Sequence, residues 1–341
     1  MSTPIDFTDG KYFYHGTGSV RPLTGLPDAP PWRTLGATDK DRGAGYQAGE
    51  KEIRVVNAAL YLRRPILITG NPGIGKSSLA YAVAHELDLG DVLVWPIVSR
   101  STLKQALYEY DAIGRLQEAQ LASKDVAGLQ DIGKYIRLGP LGTALLGHRR
   151  PNQDTVLPRV LLIDEIDKSD IDLPNELLHV FEEGEFIVPE LARHPVAWQN
   201  VYTWRGAEKV QIQGGHIKAN EFPLVILTSN DERTFPPAFL RRCLRLDVDA
   251  PGKETLERIV KERFRSLVAR QHPGDPAAIE ELTQRKDVAD AIQSFINSRD
   301  LDPKQLATDQ LLNVIHLILN SINPIERDAL RKILLHRLAD S

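Results

Sequence analysis

Gly70-Asn71-Pro72-Gly73-Ile74-Gly75-Lys76-Ser77 follows the spacing G-x-x-x-x-G-K-[ST], in which each fixed position has a chemical task. Glycines let a backbone wrap closely around a phosphate, and amides at the start of a following helix point at its charge. Lys76 would reach the terminal phosphates, the hydroxyl of Ser77 would ligate magnesium, and Ser78 opens the helix behind the cradle. A glycine-rich turn of no function is the bland alternative. It is set aside because an apolar run, Ile66-Leu67-Ile68-Thr69, precedes the loop, and Leu79, Ala80, Val83, Ala84 and Leu87 follow it at helical spacing.

A second group of polar residues sits at the ends of further apolar runs. Val160-Leu161-Leu162-Ile163 leads into Asp164-Glu165, so two carboxylates emerge at the C-terminal end of a buried strand, where open α/β sheets keep their ligand crevices. Asp164 suits a magnesium sphere. Glu165, one residue on and pointing elsewhere, suits the polarising of an attacking water. Alone, the pair could equally cap a strand ahead of a solvated Asp167-Lys168 pair; coupled to the cradle, the chemical reading is preferred.

Leu224-Val225-Ile226-Leu227-Thr228-Ser229-Asn230 ends in the same way, and its asparagine either holds water near a terminal phosphate or opens an Asn-Asp turn. In Phe235-Pro236-Pro237-Ala238-Phe239-Leu240-Arg241-Arg242-Cys243 the paired arginines are either surface charge or stabilise transition-state charge in a neighbouring subunit.

Positioning these groups requires a particular scaffold. Short apolar runs at 66–69, 92–94, 160–163, 224–227 and 244–246 alternate with helical or irregular stretches, which predicts an α/β fold with a parallel five-stranded sheet flanked by helices. A helix over 53–62 leads into the first strand, and Gly90 closes the helix behind the cradle. Beyond Pro251 amphipathic segments take over at 254–268, 277–296, 308–322 and 326–338, predicting a small all-helical domain. The expected organisation is an extended Gly- and Pro-rich arm over 1–45, an α/β domain over 46–250 and a helical domain over 251–341.

Composition bounds the partners. The chain has 341 residues, 42% hydrophobic and 26% charged, with a net charge of -4 and a pI near 6.2. That balance argues against non-specific grip on nucleic acid as the main business, while leaving room for a local basic patch. Cys243, the single cysteine, forms no internal disulfide. Met1 to Tyr14 lack the basic start and apolar core of a signal peptide, and no apolar run approaches the about 20 residues of a membrane span. A cytoplasmic protein without a membrane segment is expected.

The order Asn-Pro-Gly-Ile-Gly-Lys-Ser, Leu-Ile-Asp-Glu-Ile-Asp-Lys, Leu-Thr-Ser-Asn and Pro-Pro-Ala-Phe-Leu-Arg-Arg resembles the AAA+ superfamily and, within it, the MoxR-type ATPases, over residues 46–320. By that resemblance Gly70 to Ser77 is a Walker A loop, Asp164 and Glu165 are a Walker B pair, Asn230 is sensor 1, and Arg241 or Arg242 is an arginine finger. The resemblance implies ATP and Mg2+ as cofactors, ATP hydrolysis, a lid formed by the helical domain, a homo-oligomeric hexameric ring, and a protein client to be remodelled. The alternative class is a nucleotide-regulated motor or switch in a nucleic-acid-directed or phage-defence system. A dead scaffold is disfavoured because Lys76, Asp164 and Glu165 are all present.

A basic sensor 2 has no clear counterpart: Ala307-Thr308-Asp309 occupies its neighbourhood, with Lys304 the nearest cation. Two insertions are also implied, Ser101 to Gly147 and Phe186 to Glu221, both long for simple connections. Trp198, Tyr202 and Trp204 lie in the second, either as a small packed hairpin or as a surface that grips a partner.

Overall fold

A computed structural model describes residues 48–121, 131–150, 154–206, 208–273, 277–301 and 306–320, together with residues 29, 30, 39, 43, 46 and 275. The arm expected over 1–45 and the helix expected over 326–338 therefore fall almost wholly outside the described residues. The chain divides into two compact units at Ala250 and Pro251.

Among its described residues the α/β unit carries thirteen strands: β1 (Ile66–Thr69), β2 (Leu93–Pro96), β3 (Tyr108–Tyr110), β4 (Ile136–Leu138), β5 (His148–Arg149), β6 (Val156–Leu157), β7 (Val160–Asp164), β8 (Glu185–Ile187), β9 (Trp198–Tyr202), β10 (Lys209–Gln213), β11 (His216–Lys218), β12 (Leu224–Ser229) and β13 (Leu244–Asp247). Its main helices are α1 (Glu50–Leu62), α2 (Ser78–Glu86), α3 (Leu103–Leu107), α4 (Ala112–Leu121), α5 (Pro140–Ala144), α6 (Leu173–Glu183), α7 (Pro189–Ala192) and α8 (Pro237–Arg242).

Five strands form the central sheet in the order β13-β1-β12-β7-β2, every pairing parallel. Their continuous apolar runs follow from burial on both faces. Ile66, Ile68, Val160, Leu162, Leu224 and Ile226 face one layer with Val56 of α1 and Leu79 and Val83 of α2. The intervening Leu67, Leu161, Ile163, Val225 and Leu227 face the other, with Leu141 of α5, Leu177 of α6 and Phe239 of α8. The alternation of strand side chains thus builds two cores from one sheet. This is the parallel five-stranded α/β fold that the apolar runs predict.

The helix behind the glycine loop ends at Glu86, short of Gly90. Gly90 is instead demanded further along, by φ +76 and by the His148 ring, which a Cβ there would meet at 3.1 Å.

The two insertions differ most from expectation. Ser101 to Gly147 contributes β3 and β4, and the second insertion contributes β9, β10 and β11 and most of β8; together they form one six-stranded sheet, β3-β4-β9-β10-β11-β8. The seam is a parallel pairing of Arg137 with Tyr202, and the other pairings are antiparallel. Its inward residues Ile136, Leu138, Val201, Ile212 and Ile217 join the same core as Leu67 and Ile163. The second insertion is thus core on one face only, because strand alternation hides its apolar half there.

The second unit contains α9 (Lys253–Gln271), α10 (Ala277–Leu282), α11 (Lys286–Leu301) and α12 (Thr308–Leu319) around Leu256, Val260, Phe264, Ile292, Phe295, Leu311 and Ile315. The segment expected to be one helix over 277–296 is two. A turn at 283–285 separates them, and the next helix starts where the Arg285 carbonyl accepts from the Ala289 N–H at 2.8 Å. Among the described residues no helix is long and apolar enough to cross a membrane.

Candidate functional site

The C-terminal ends of β1, β7 and β12 lie side by side, so the glycine loop, the Asp164-Glu165 pair and Asn230 meet at one edge of the sheet. The loop owes its shape to its glycines. Gly70 takes φ +145, and a Cβ there would lie 2.5 Å from the Val248 carbonyl oxygen; Gly75 takes φ +93. Both backbones belong to the region L side chains avoid. Asn71, Pro72, Gly73 and Ile74 span the loop between them, and Ser78 begins α2, its N–H donating to the Gly75 carbonyl at 2.9 Å.

Lys76 is 8% exposed, and its ammonium donates to the carbonyls of Gly70 at 2.7 Å and Asn71 at 2.8 Å and to Asn230 Oδ1 at 2.7 Å. All three donor positions of an ammonium are thus used. Burial pushes its pKa below the ordinary lysine value, against the pull of Asp167, Asp164, Asp231 and Glu165, which favour the charged form. An anionic phosphate arriving here meets a cation already flanked by carboxylates.

Ser77 Oγ donates to Asp164 Oδ1 at 2.7 Å, and Thr228 Oγ1 donates to the same oxygen at 2.6 Å. Among the described residues no group of three or more His, Cys, Asp or Glu gathers to hold a metal. Magnesium does not need one: it keeps several waters, takes phosphate oxygens, and requires only one or two protein oxygens. The adjacent hydroxyl and carboxylate of Ser77 and Asp164 fit that demand.

Glu165 has φ +60, a left-handed backbone uncommon for a residue with a side chain. The turn separates the two carboxylates. Asp164 joins Ser77 and Thr228, while Glu165 pairs with Lys168 at 2.6 Å, both side chains 43% exposed. The Glu165 N–H donates to Thr228 Oγ1 at 2.9 Å, so one buried hydroxyl braces both acids. Thr228 was not singled out from the sequence; the available signal is a hydroxyl inside a strand whose every residue is buried.

The solvated Asp167-Lys168 pair considered as an alternative does not form. Lys168 is exposed beside Glu165, whereas Asp167 is 3% exposed and accepts from the N–H of Asn230 at 2.8 Å and of Glu232 at 3.3 Å.

Arg241 and Arg242 end α8 at the surface. Arg64 donates to the backbone carbonyls of both, and the Arg242 guanidinium pairs with Glu182 of α6. No partner is found for the Arg241 guanidinium among the described residues. Lys304, the cation nearest the expected sensor 2, lies outside them; at the start of α12 the Ala307 N–H donates to Gln310 Oε1 at 2.8 Å.

No curated protein matches the chain. Among solved structures it is similar to the Thermotoga maritima RuvB Holliday junction branch migration motor, at 18% identity over 84% of this chain and 74% of that one, with a TM-score of 0.32. The family model "ATPase family associated with various cellular activities (AAA)" matches residues 66–250. That stretch runs from the first residue of β1 to just past β13 and takes in more than half of the chain, so the protein belongs to the AAA ATPase family.

Proposed function

We propose that this chain is one subunit of a MoxR-type homo-oligomeric ring, hexameric and cytoplasmic, that hydrolyses magnesium-bound ATP to remodel a protein partner. Membership of the AAA family carries ATP binding and hydrolysis with it; the subfamily, the ring and the client are the reading offered here. The observation that carries the site assignment is the meeting of Lys76 with Asn230 at 2.7 Å and of Ser77 with Asp164 at 2.7 Å, at one edge of the sheet.

In this reading the amides of 70–78 and the Lys76 ammonium bind the phosphates, with Lys76 exchanging its carbonyl and amide acceptors for phosphate oxygens. Ser77 and Asp164 would hold the magnesium, which when bound supplies charge neutralisation and orients the phosphate chain. Glu165 takes a proton from the attacking water and Asn230 orients that water. The Lys168 ion pair is solvent-exposed and so worth at most about 1 kcal/mol, which leaves Glu165 free to change partners. Arg241, exposed and without a partner among the described residues, is the better placed of the two arginines to serve a neighbouring subunit's site; Arg242 is engaged by Glu182 within its own chain.

Lys76→Ala tests the site. The variant is expected to lose nucleotide binding in a calorimetric titration and turnover in a phosphate-release assay, since it removes the buried ammonium that meets Gly70, Asn71 and Asn230. Wild-type turnover by that variant would end the assignment. The partner class is tested by a salt-dependent DNA shift assay, where strong binding that weakens steeply with salt would favour a nucleic-acid-directed machine over a protein remodeller.

A further inference from the structure

Beyond Ser229 the backbone leaves the β12 ladder, and Asp231 takes a left-handed φ of 58. The next three N–H groups find only side-chain oxygens. Asn230 and Glu232 donate to Asp167 Oδ2 at 2.8 and 3.3 Å, and Asp231 donates to Ser229 Oγ at 3.0 Å. One carboxylate oxygen from the turn after β7 therefore holds two of the three amides that shape the turn after β12. The other oxygen, Asp167 Oδ1, is buried without a hydrogen-bond partner among the described residues. A carboxylate kept in such surroundings is costly, and the cost points to a use for its stronger, charge-assisted acceptance.

We infer that Asp167 is a positioning residue for ATP hydrolysis: it locks the turn carrying Asn230 to the turn carrying Asp164 and Glu165, and so fixes where the Asn230 amide stands beside Lys76. The inference rests on the reading of Asn230 and Lys76 given above. The geometry links the two halves of the site through one side chain. Asp167 lies in the single helical turn of Ile166–Lys168, directly after Glu165, and the Asn230 backbone it grips carries the Oδ1 that meets Lys76 at 2.7 Å. Asp167 touches neither phosphate nor water in this scheme; its hydrogen bonds act through Asn230, and its charge favours the ammonium form of Lys76.

The test measures kcat, KM and nucleotide affinity for the full chain as wild type, Asp167→Ala, Asp167→Asn, Asn230→Ala and the double variant Asp167→Ala/Asn230→Ala. Misplacement of a water-orienting group costs about 100-fold, so Asp167→Ala should lower kcat by about that factor with KM and ATP affinity little changed. Asp167→Asn keeps an oxygen that can accept both amides and should recover part of the loss. In the Asn230→Ala background the further loss on removing Asp167 should be clearly smaller than in the wild-type background, because its positioning of Asn230 is already gone and only its pull on the Lys76 charge remains. A wild-type kcat for Asp167→Ala, or losses that multiply in the double variant, would overturn the inference. So would unfolding of both Asp167 variants, which would make the carboxylate a structural anchor. Wild-type turnover by Asn230→Ala is a different failure: it removes the assignment of Asn230 itself, whereas the Asp167 outcomes leave that assignment standing.

Discussion

Two neighbouring carboxylates, Asp164 and Glu165, end up with different partners because the chain turns left-handed between them. Asp164 is fixed by two hydroxyls, whereas Glu165 has only an exposed ion pair, so the first is built to stay and the second to move. Glu165→Gln keeps the shape of this side chain and removes its basicity. ATP should then bind with near wild-type affinity and persist, with turnover down by about 100-fold or more, as read by single-turnover hydrolysis. Turnover equal to wild type would return Glu165 to the role of a strand cap. The arginines separate in the same manner. Arg241→Ala should lower turnover by about 1000-fold while ATP affinity holds, the signature of a group acting in trans. Arg242→Ala should cost far less, since its exposed pairing with Glu182 contributes at most about 1 kcal/mol. If the larger loss follows Arg242→Ala, the finger is Arg242 and its pairing with Glu182 must open in the ring.

At the scale of elements, Trp198, Tyr202 and Trp204 of the second insertion divide between two roles. Trp204 follows β9, packs against the core, and donates its backbone N–H to the buried Thr143 hydroxyl at 2.9 Å. Trp204→Ala removes a large packed side chain and should cost about 3 kcal/mol, visible as a lowered melting temperature. A variant as stable as wild type would show that the aromatic is not core. Tyr202 stands between Arg137, at 5.0 Å, and Lys209, at 4.8 Å from its ring centre, on the outward face of the sheet. Trp198 is 50% exposed on that face, in one cross-strand row with Gln213, His216 and the 58% exposed Ile187. Of the three it is Trp198 that offers large rigid area to a partner. Trp198→Ala should shift stability by no more than about 0.5 kcal/mol while weakening partner-stimulated turnover. Stimulation left at the wild-type level would move the coupling surface off this face.

For the whole molecule, the decisive property is assembly. A ring that depends on ATP should accumulate when hydrolysis is blocked, so Glu165→Gln with ATP and magnesium should elute and scatter as a larger species than the same protein without nucleotide. An unchanged mass of one subunit under both conditions would sink the ring reading while leaving the nucleotide site intact. The composite sheet lies between the outward Trp198 row and the core of the nucleotide site. It is woven from both insertions, shares its core with the central sheet, and its last strands lead directly into β12 and Asn230.

How much of this was legible beforehand follows from the range of the forces involved. The glycine loop, the acids and Asn230 could be placed on strand ends from sequence because strand and helix periodicity are local, and because φ angles such as those of Gly70 and Gly75 require glycine whatever surrounds them. The five strands of the central sheet were equally readable, since burial on both faces writes an unbroken apolar run. Asp167 was not. Nothing adjacent to it distinguishes a solvated acid from one 3% exposed, because its partners, the amides of Asn230 and Glu232, are remote in sequence and brought close only by the parallel pairing of β7 with β12. The same holds for Thr228, and for the joining of two insertions into one sheet through Arg137 and Tyr202. Short-range geometry chose the residues that could do chemistry; long-range strand pairing decided which of them meet, and tertiary burial alone turned an ordinary aspartate into the clasp between the two halves of the site.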